Sequence, residues 1–163
     1  MTISLNGRLD EQAYLVQASA IGALTTTVGD TTYVSLKGYR RATVIIDVTN
    51  ATTVTGGTVT LKQATAVAGT GEKALAFTRM LSNIDVGASQ AMTETAVVSN
   101  TFTTDSTNSK RLKYVIEVDS EQLDVAGGFD CFRVDSTGMA NATGMVSYIL
   151  WGTRYTGANP MVD

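Results

Sequence analysis

The stretch "AGTGEKAL", residues 68–75, is the first place to look for nucleotide chemistry, with two glycines, a threonine and a lysine ahead of an apolar run. A phosphate-binding loop runs G-x-x-x-x-G-K-[ST], so that backbone N–H groups wrap the phosphates, the lysine reaches the terminal one and the hydroxyl holds magnesium. Here Glu72 separates Gly71 from Lys73, Ala74 stands where the hydroxyl is needed, and Ala66 replaces the first glycine. A carboxylate would face phosphate. The expected state is a turn between two strands, with Glu72 and Lys73 at its tip in water or against a neighbouring subunit.

"DSEQLD" supplies Asp119, Glu121 and Asp124, oxygen ligands of the kind calcium prefers, but without the central Gly and terminal Glu of an EF-hand loop. A solvated acidic turn is the expectation. With no histidine and a single cysteine, a zinc or iron site would need carboxylates almost alone. The same absence removes the usual base near neutral pH and every Ser-His or Cys-His pair. A carboxylate pair could still serve as acid and base, as in glycosidases, yet none of the 15 acidic residues is marked out by its surroundings. The protein is expected not to be an enzyme and to carry no cofactor or metal.

Cys131, in "FDCFRV", is expected to be a buried structural thiol. Near the C-terminus Tyr148, Trp151 and Tyr155 could offer rings to a sugar. In "MVSYILWGTRY", however, Trp151 shares a strand face with Met145 and Ile149 while Tyr148 lies opposite, which favours packing in a core or a subunit interface.

The elements that must position these residues are read from alternation. Thr and Val number 26 and 17, about a quarter of the chain, and their β-branched side chains favour strands. The single proline, Pro160, lies near the C-terminus, so nothing before it interrupts a ladder. "LKYVIEV" puts Leu112, Tyr114, Ile116 and Val118 on one face. "ATVIIDVT" groups Val44, Ile46 and Val48, and "GTVTLKQA" sets Val59 and Leu61 against Thr58, Thr60 and Lys62.

"QAYLVQ", "TTYVSL", "ALAFTRML", "TAVVSNTFT", "FDCFRVD" and "MVSYILWGTRY" complete about nine strands. They are separated by Gly29-Asp30, Lys37-Gly38, Gly56-Gly57, Gly69 to Gly71, Asp105 to Ser109, Gly127-Gly128 and Gly138 to Gly144. Helix is confined to one turn at "SEQLDV", since "KALAFTRML" follows a glycine-rich turn and is read as strand. The Thr-rich patches "ALTTTVGDTTY" and "TFTTDSTNSK" suit loops at the ends of a sandwich.

These elements predict an all-β fold: a jelly-roll-like β-sandwich of about eight or nine antiparallel strands in a single domain over 1–163. Residues 1–10 would form an N-terminal arm and 154–163 an extended tail. A charged fraction of 17%, against a usual quarter, implies a surface of uncharged polar residues or one partly hidden by other chains. Net charge −3 and a pI near 4.9 argue against nucleic acid and anionic lipid as partners. The opening residues lack a signal-peptide pattern and no stretch has membrane-spanning length, so synthesis and assembly in a cytoplasm are expected.

Three phrases, "TVTGGTVTLKQATAVAGTGEKALAF", "TETAVVSNTFTTDSTNSKRLKYVIEVD" and "GFDCFRVD", together resemble small virion structural proteins of tailed bacteriophages and prophages, found among head and capsid genes. The resemblance spans about residues 1–155 as an overall pattern. It implies a capsid decoration, or cement, protein: a homo-oligomer, trimer or dimer, on the exterior of the assembled head, bridging major capsid subunits through many weak contacts. The alternative it leaves is a neck, tail or head-fibre component binding a receptor or carbohydrate through Tyr148, Trp151 or the Thr-rich loops. The expected partner-binding residues are Ile3 and Leu5 in the arm, Glu72 and Lys73 at the turn, Trp151 and Tyr155, and Met161 in the tail beside Gly157 and Pro160.

Overall fold

The computed structural model describes residues 13–23 and 31–153. Twelve strands run in chain order: β1 (Ala13–Gln17), β2 (Gly22–Ala23), β3 (Val34–Ser35), β4 (Arg41–Thr55), β5 (Thr58–Ala64), β6 (Lys73–Ala74), β7 (Phe77–Asn83), β8 (Thr93–Ser99), β9 (Thr101–Thr103), β10 (Arg111–Asp119), β11 (Cys131–Thr137) and β12 (Ala140–Trp151). Short 3-10 turns at Ser120–Gln122 and Val125–Gly127 are the only helical elements among the described residues.

All the pairings are antiparallel. The large sheet runs β1-β12-β4-β10-β7-β8 with β2 beside β12, and the small sheet runs β3-β11-β5-β6 with β9 beside β5. Set over one another, β1-β12-β4-β10 and β3-β11-β5-β6 have the strand order of two interlocked Greek keys. The fold is therefore a jelly-roll sandwich, as the sequence predicts. The hairpin β7–β8 is an addition that widens the large sheet beyond β10.

Alternation explains the core. β10 buries Leu112, Tyr114, Ile116 and Val118, β4 buries Val44, Ile46 and Val48, and β5 buries Val59 and Leu61, all between the sheets. Two tyrosines extend this packing into hydrogen bonds. Tyr114 accepts from the Asp105 N–H at 2.8 Å, fixing the loop after β9. Tyr148 crosses from β12 to the small sheet, where its hydroxyl donates to Thr31 Oγ1 at 2.7 Å and accepts from the Val134 N–H at 3.0 Å.

The nine expected strands become twelve because the chain changes sheets within two of them and adds the short β2. "ALAFTRML" divides into β6 in the small sheet and β7 in the large one. "TAVVSNTFT" divides at Asn100, whose carbonyl accepts from Leu61 N–H at 2.8 Å and turns the chain from β8 into β9. The expected break at Gly138 to Gly144 is shorter than the sequence suggests. Asn141 adopts φ 57° at a bulge opposite β4, so β12 already runs from Ala140. At "SEQLDV" one 3-10 turn forms over Ser120–Gln122, with Asp119 rather than Ser120 at its N-cap, and a second begins at Val125.

Candidate functional site

Three segments singled out in the sequence, "AGTGEKAL", "DSEQLD" and "FDCFRVD", converge at one end of the small sheet. The first is a closed turn. Thr65 N–H donates to Thr70 O at 2.9 Å and Gly69 N–H to Ala66 O at 2.9 Å. Gly69 and Gly71 take φ of 81° and 67°, and a Cβ on Gly69 would stand 3.0 Å from the Tyr33 ring. Both glycines thus serve left-handed backbone geometry rather than phosphate approach.

The turn delivers Glu72 onto the outer face of the small sheet, where parity aims Lys62 from β5 and Arg133 and Asp135 from β11. Glu72 Oε1 lies 2.6 Å from Lys62 Nζ, and Glu72 Oε2 lies 2.8 Å from Arg133 Nη2 while accepting from the Tyr33 hydroxyl at 2.6 Å. Asp135 closes the set, 2.6 Å from Lys62 Nζ and 3.0 Å from Arg133 Nε. The Arg133 guanidinium also lies over the Tyr33 ring, 4.9 Å from its centroid. Two cations and two anions thus cancel on a ledge where Arg133 and Asp135 are largely covered.

Lys73 takes the next step along the turn. It pairs with Asp124 and lies 3.9 Å over the Phe129 ring. Asp124 also accepts from Gly127 N–H at 3.0 Å, and its own N–H donates to Gln63 Oε1 at 2.9 Å. Gln63, buried on β5 between β11 and β6, donates from Nε2 to Ala74 O at 2.9 Å. Loop 120–130 is therefore fastened to β5 and β6.

The expectation of solvated charges at a loop tip is corrected here. Glu72 and Lys73 are both paired within the chain, because the turn folds back over its own sheet instead of projecting from it.

Electrostatics follow the geometry. The Lys62 ammonium first, then the Tyr33 hydroxyl, hold Glu72 below the usual glutamate range. Asp135 and then Glu72 raise Lys62. Burial, reinforced by the bond to Glu72, pushes the Tyr33 phenol up.

A depressed carboxylate stabilises the fold above its unfolded value, near pH 4.3, and that contribution is lost as pH falls through the folded value. Lys62 acts with the opposite sign: its contribution is full below about pH 10.4 and is lost as pH rises through the folded value. Glu72→Gln is expected to cost about 1–2 kcal/mol at pH 7, discounted for partial exposure. The gap from wild type should close as pH falls below about 4, measured by urea unfolding across pH. A gap independent of pH would contradict this account.

Beside the ledge, loop 120–130 and the chain after β3 enclose a groove of about 760 Å³ lined by Leu36, Lys37, Leu123, Val125, Phe129 and Asp130. Val125 is exposed. Asp119, Glu121 and Asp124 do not form a cation cage, since Asp124 is committed to Lys73 and Gly127. Among the described residues no three His, Cys, Asp or Glu side chains converge on one point. Cys131 is fully buried behind Tyr33 and Ala64, its Sγ donating to Asp130 Oδ1 at 3.1 Å. That is the structural role expected of it.

Trp151 lies elsewhere, half-buried on the outer face of the large sheet, donating to Thr43 Oγ1 at 2.9 Å. Thr43 in turn donates to Glu117 Oε1 at 2.9 Å. Tyr148 is completely buried, so it cannot join Trp151 in a sugar platform. Ile3, Leu5, Tyr155 and Met161 fall outside the described residues, as do Gly157 and Pro160. The sequence reading misses Tyr33, Lys62, Arg133 and Phe129 as site residues. Parity alone could have placed Lys62 on the wet face of β5, and Arg133 with Asp135 on that of β11.

The architecture defines an all-β jelly-roll sandwich with a charged ledge and an apolar groove at one end. No protein-family model matches the chain, and no curated protein matches its sequence. Among solved structures it is similar to the SPBc2 prophage-derived protein YomS, with a TM-score of 0.47 and 8% identity, over 85% of this chain and 92% of that one. At that level the likeness says nothing of activity or partner.

Proposed function

We propose that this protein is a non-enzymatic virion structural protein of a tailed phage or prophage. It decorates the capsid exterior and stabilises the shell by binding between major capsid subunits, as a homo-oligomer assembled in the host cytoplasm. The observation that carries the reading is the groove beside the charged ledge. Its apolar residues Val125, Leu123 and Phe129 stand on a loop held by Lys73–Asp124 and by Gln63, so little ordering is needed when a partner segment docks. The sequence resemblance supplies the partner. Many copies on a lattice would make each modest contact effective. Among the described residues no helix is long and apolar enough to cross a membrane, and the capsid reading requires neither membrane nor nucleic acid.

The test adds purified protein to undecorated heads from the same phage and follows co-sedimentation and the temperature of shell disruption. Saturable binding with a higher disruption temperature is expected, and Val125→Asp should weaken binding about tenfold or more by placing a charge in the apolar contact. Val125 is exposed, so the variant should unfold as wild type does. Protein that neither bound nor stabilised the heads would overturn the proposal.

A further inference from the structure

The outer face of the large sheet carries an apolar patch that the sandwich core does not use. Parity points Ile45, Val115 and Leu81 outward in one row across β4, β10 and β7, with Met145 and Ile149 on either side of that row on β12 and Leu15 beside Ile149 on β1. Leu15 is 62% exposed and the other five are partly exposed. Charges border the patch: Lys113 pairs with Asp47 at 2.6 Å, and Arg41 lies 3.6 Å from Glu117. Contiguous apolar surface inside a polar rim is the anatomy of an interface.

The order of the outward residues decides what fits there. Along β10 they are Arg111, Lys113, Val115, Glu117 and Asp119: two cations, an apolar residue, two anions. Reversed about Val115, the strand is opposite in charge to itself. The same reversal on β12 sets Met145 against Ile149. A reversed copy of this face is therefore complementary to it in both charge and hydropathy.

We infer that a second copy of this chain docks face to face on the large sheet, about a two-fold axis lying across the strands along the row Ile45, Val115, Leu81. Each of these three meets its counterpart, Met145 of one copy meets Ile149 of the other, and Lys113 meets Glu117. Packed sheets cross at about 30°, which displaces residues two positions from the axis by only about 3–4 Å, within reach of lysine and glutamate side chains. A two-fold running along the strands between β4 and β10 would also oppose Lys113 to Asp47, but it lays Met145 over Asn83, a buried polar residue held to the loop after β7 by its bond to Ser89 O at 2.7 Å. The crosswise axis leaves no such mismatch.

The nine residues of β10, at about 3.4 Å each, and the four strands β12, β4, β10 and β7, about 4.8 Å apart, give a footprint of about 600 Å². Both copies together cover about 1,200 Å², the lower end of specific interfaces, so the dimer is reversible. It forms whether or not the protein decorates a shell.

Sedimentation equilibrium over rising protein concentration is expected to show this dimer. Lys113→Glu opposes carboxylates at both ends of the contact and Glu117→Lys opposes ammonium groups, so each alone should weaken association about tenfold or more. Mixed in equal amounts, the two variants restore opposite charges at both ends and should associate about as tightly as wild type. Each chain in the mixture keeps its own substitution, so recovery cannot come from repair of the fold. Under the lengthwise axis Lys113→Glu would face Asp47 in every pairing and mixing would rescue nothing. Circular dichroism and urea midpoints check that each variant folds. Protein monomeric at every concentration, association indifferent to both single changes, or a mixture no tighter than its components would each overturn the inference.

Discussion

Truncating Tyr148 to alanine is expected to lower the unfolding free energy by about 3–5 kcal/mol, whereas Tyr148→Phe should cost only about 1 kcal/mol. The ring is completely buried between the sheets, 5.0 Å from the Phe132 ring, and deleting it opens a cavity that strands fixed by their ladders cannot close. The hydroxyl is less critical because its partners have each other. Thr31 Oγ1 donates to Val134 O at 2.6 Å and accepts from Val134 N–H at 3.0 Å, so Tyr148→Phe leaves no backbone group unpaired. Urea unfolding with unchanged m-values measures both, and nearly equal losses for the two variants would show that the hydroxyl, not the packing, ties the sheets together.

Gly57→Ala should cost about 2–3 kcal/mol although it adds one methyl. Gly57 lies at the corner where β4 passes into β5 and presses against the corner from β11 to β12. A Cβ there would sit 2.6 Å from Thr137 O, 2.8 Å from Met139 N and 2.1 Å from Met139 Cγ. The Met139 side chain can move, but two backbone atoms cannot shift without disturbing the β5–β11 register that ends at Thr137 and Thr58. Thr104 holds the other side, its Oγ1 accepting from Gly57 N–H at 3.0 Å and its N–H donating to Gly57 O at 2.9 Å. Gly87→Ala, with a single neighbour at 3.6 Å, is the control and should change stability by less than about 0.5 kcal/mol. A similar midpoint shift for both variants would contradict the corner packing.

The strands that bury one face and wet the other were legible from local pattern. In β10 and β4 the alternation named the core residues one by one, because a side chain's face depends only on its parity along the strand. Gly69 and Gly71 were legible as turn residues for a similar reason, since the left-handed backbone they adopt is a local property. The division of "TAVVSNTFT" at Asn100 was not. Ser99 and Asn100 are the weak strand-formers of the run, but nothing local says that the chain changes sheets there; the switch is enforced by Leu61, 39 positions earlier, bonding to Asn100. The ledge was hidden for the same reason: Tyr33, Lys62, Glu72, Arg133 and Asp135 are scattered over a hundred positions and meet only because β5 pairs with β11 and the 65–72 turn folds back over both.

By itself, then, the sequence determined the all-β class, the single sandwich, the core parity and the burial of Cys131, since these follow from β-branched composition, period-two alternation and turn chemistry acting over a few residues. Tertiary structure alone decided that Glu72 and Lys73 are paired, that Tyr148 bridges the sheets while Trp151 lies on an outer face, and that β8 is the last strand of the large sheet among the described residues. Each of these depends on which distant strands become neighbours, and pairing of that kind is set by the packing of the whole sandwich rather than by any segment within it.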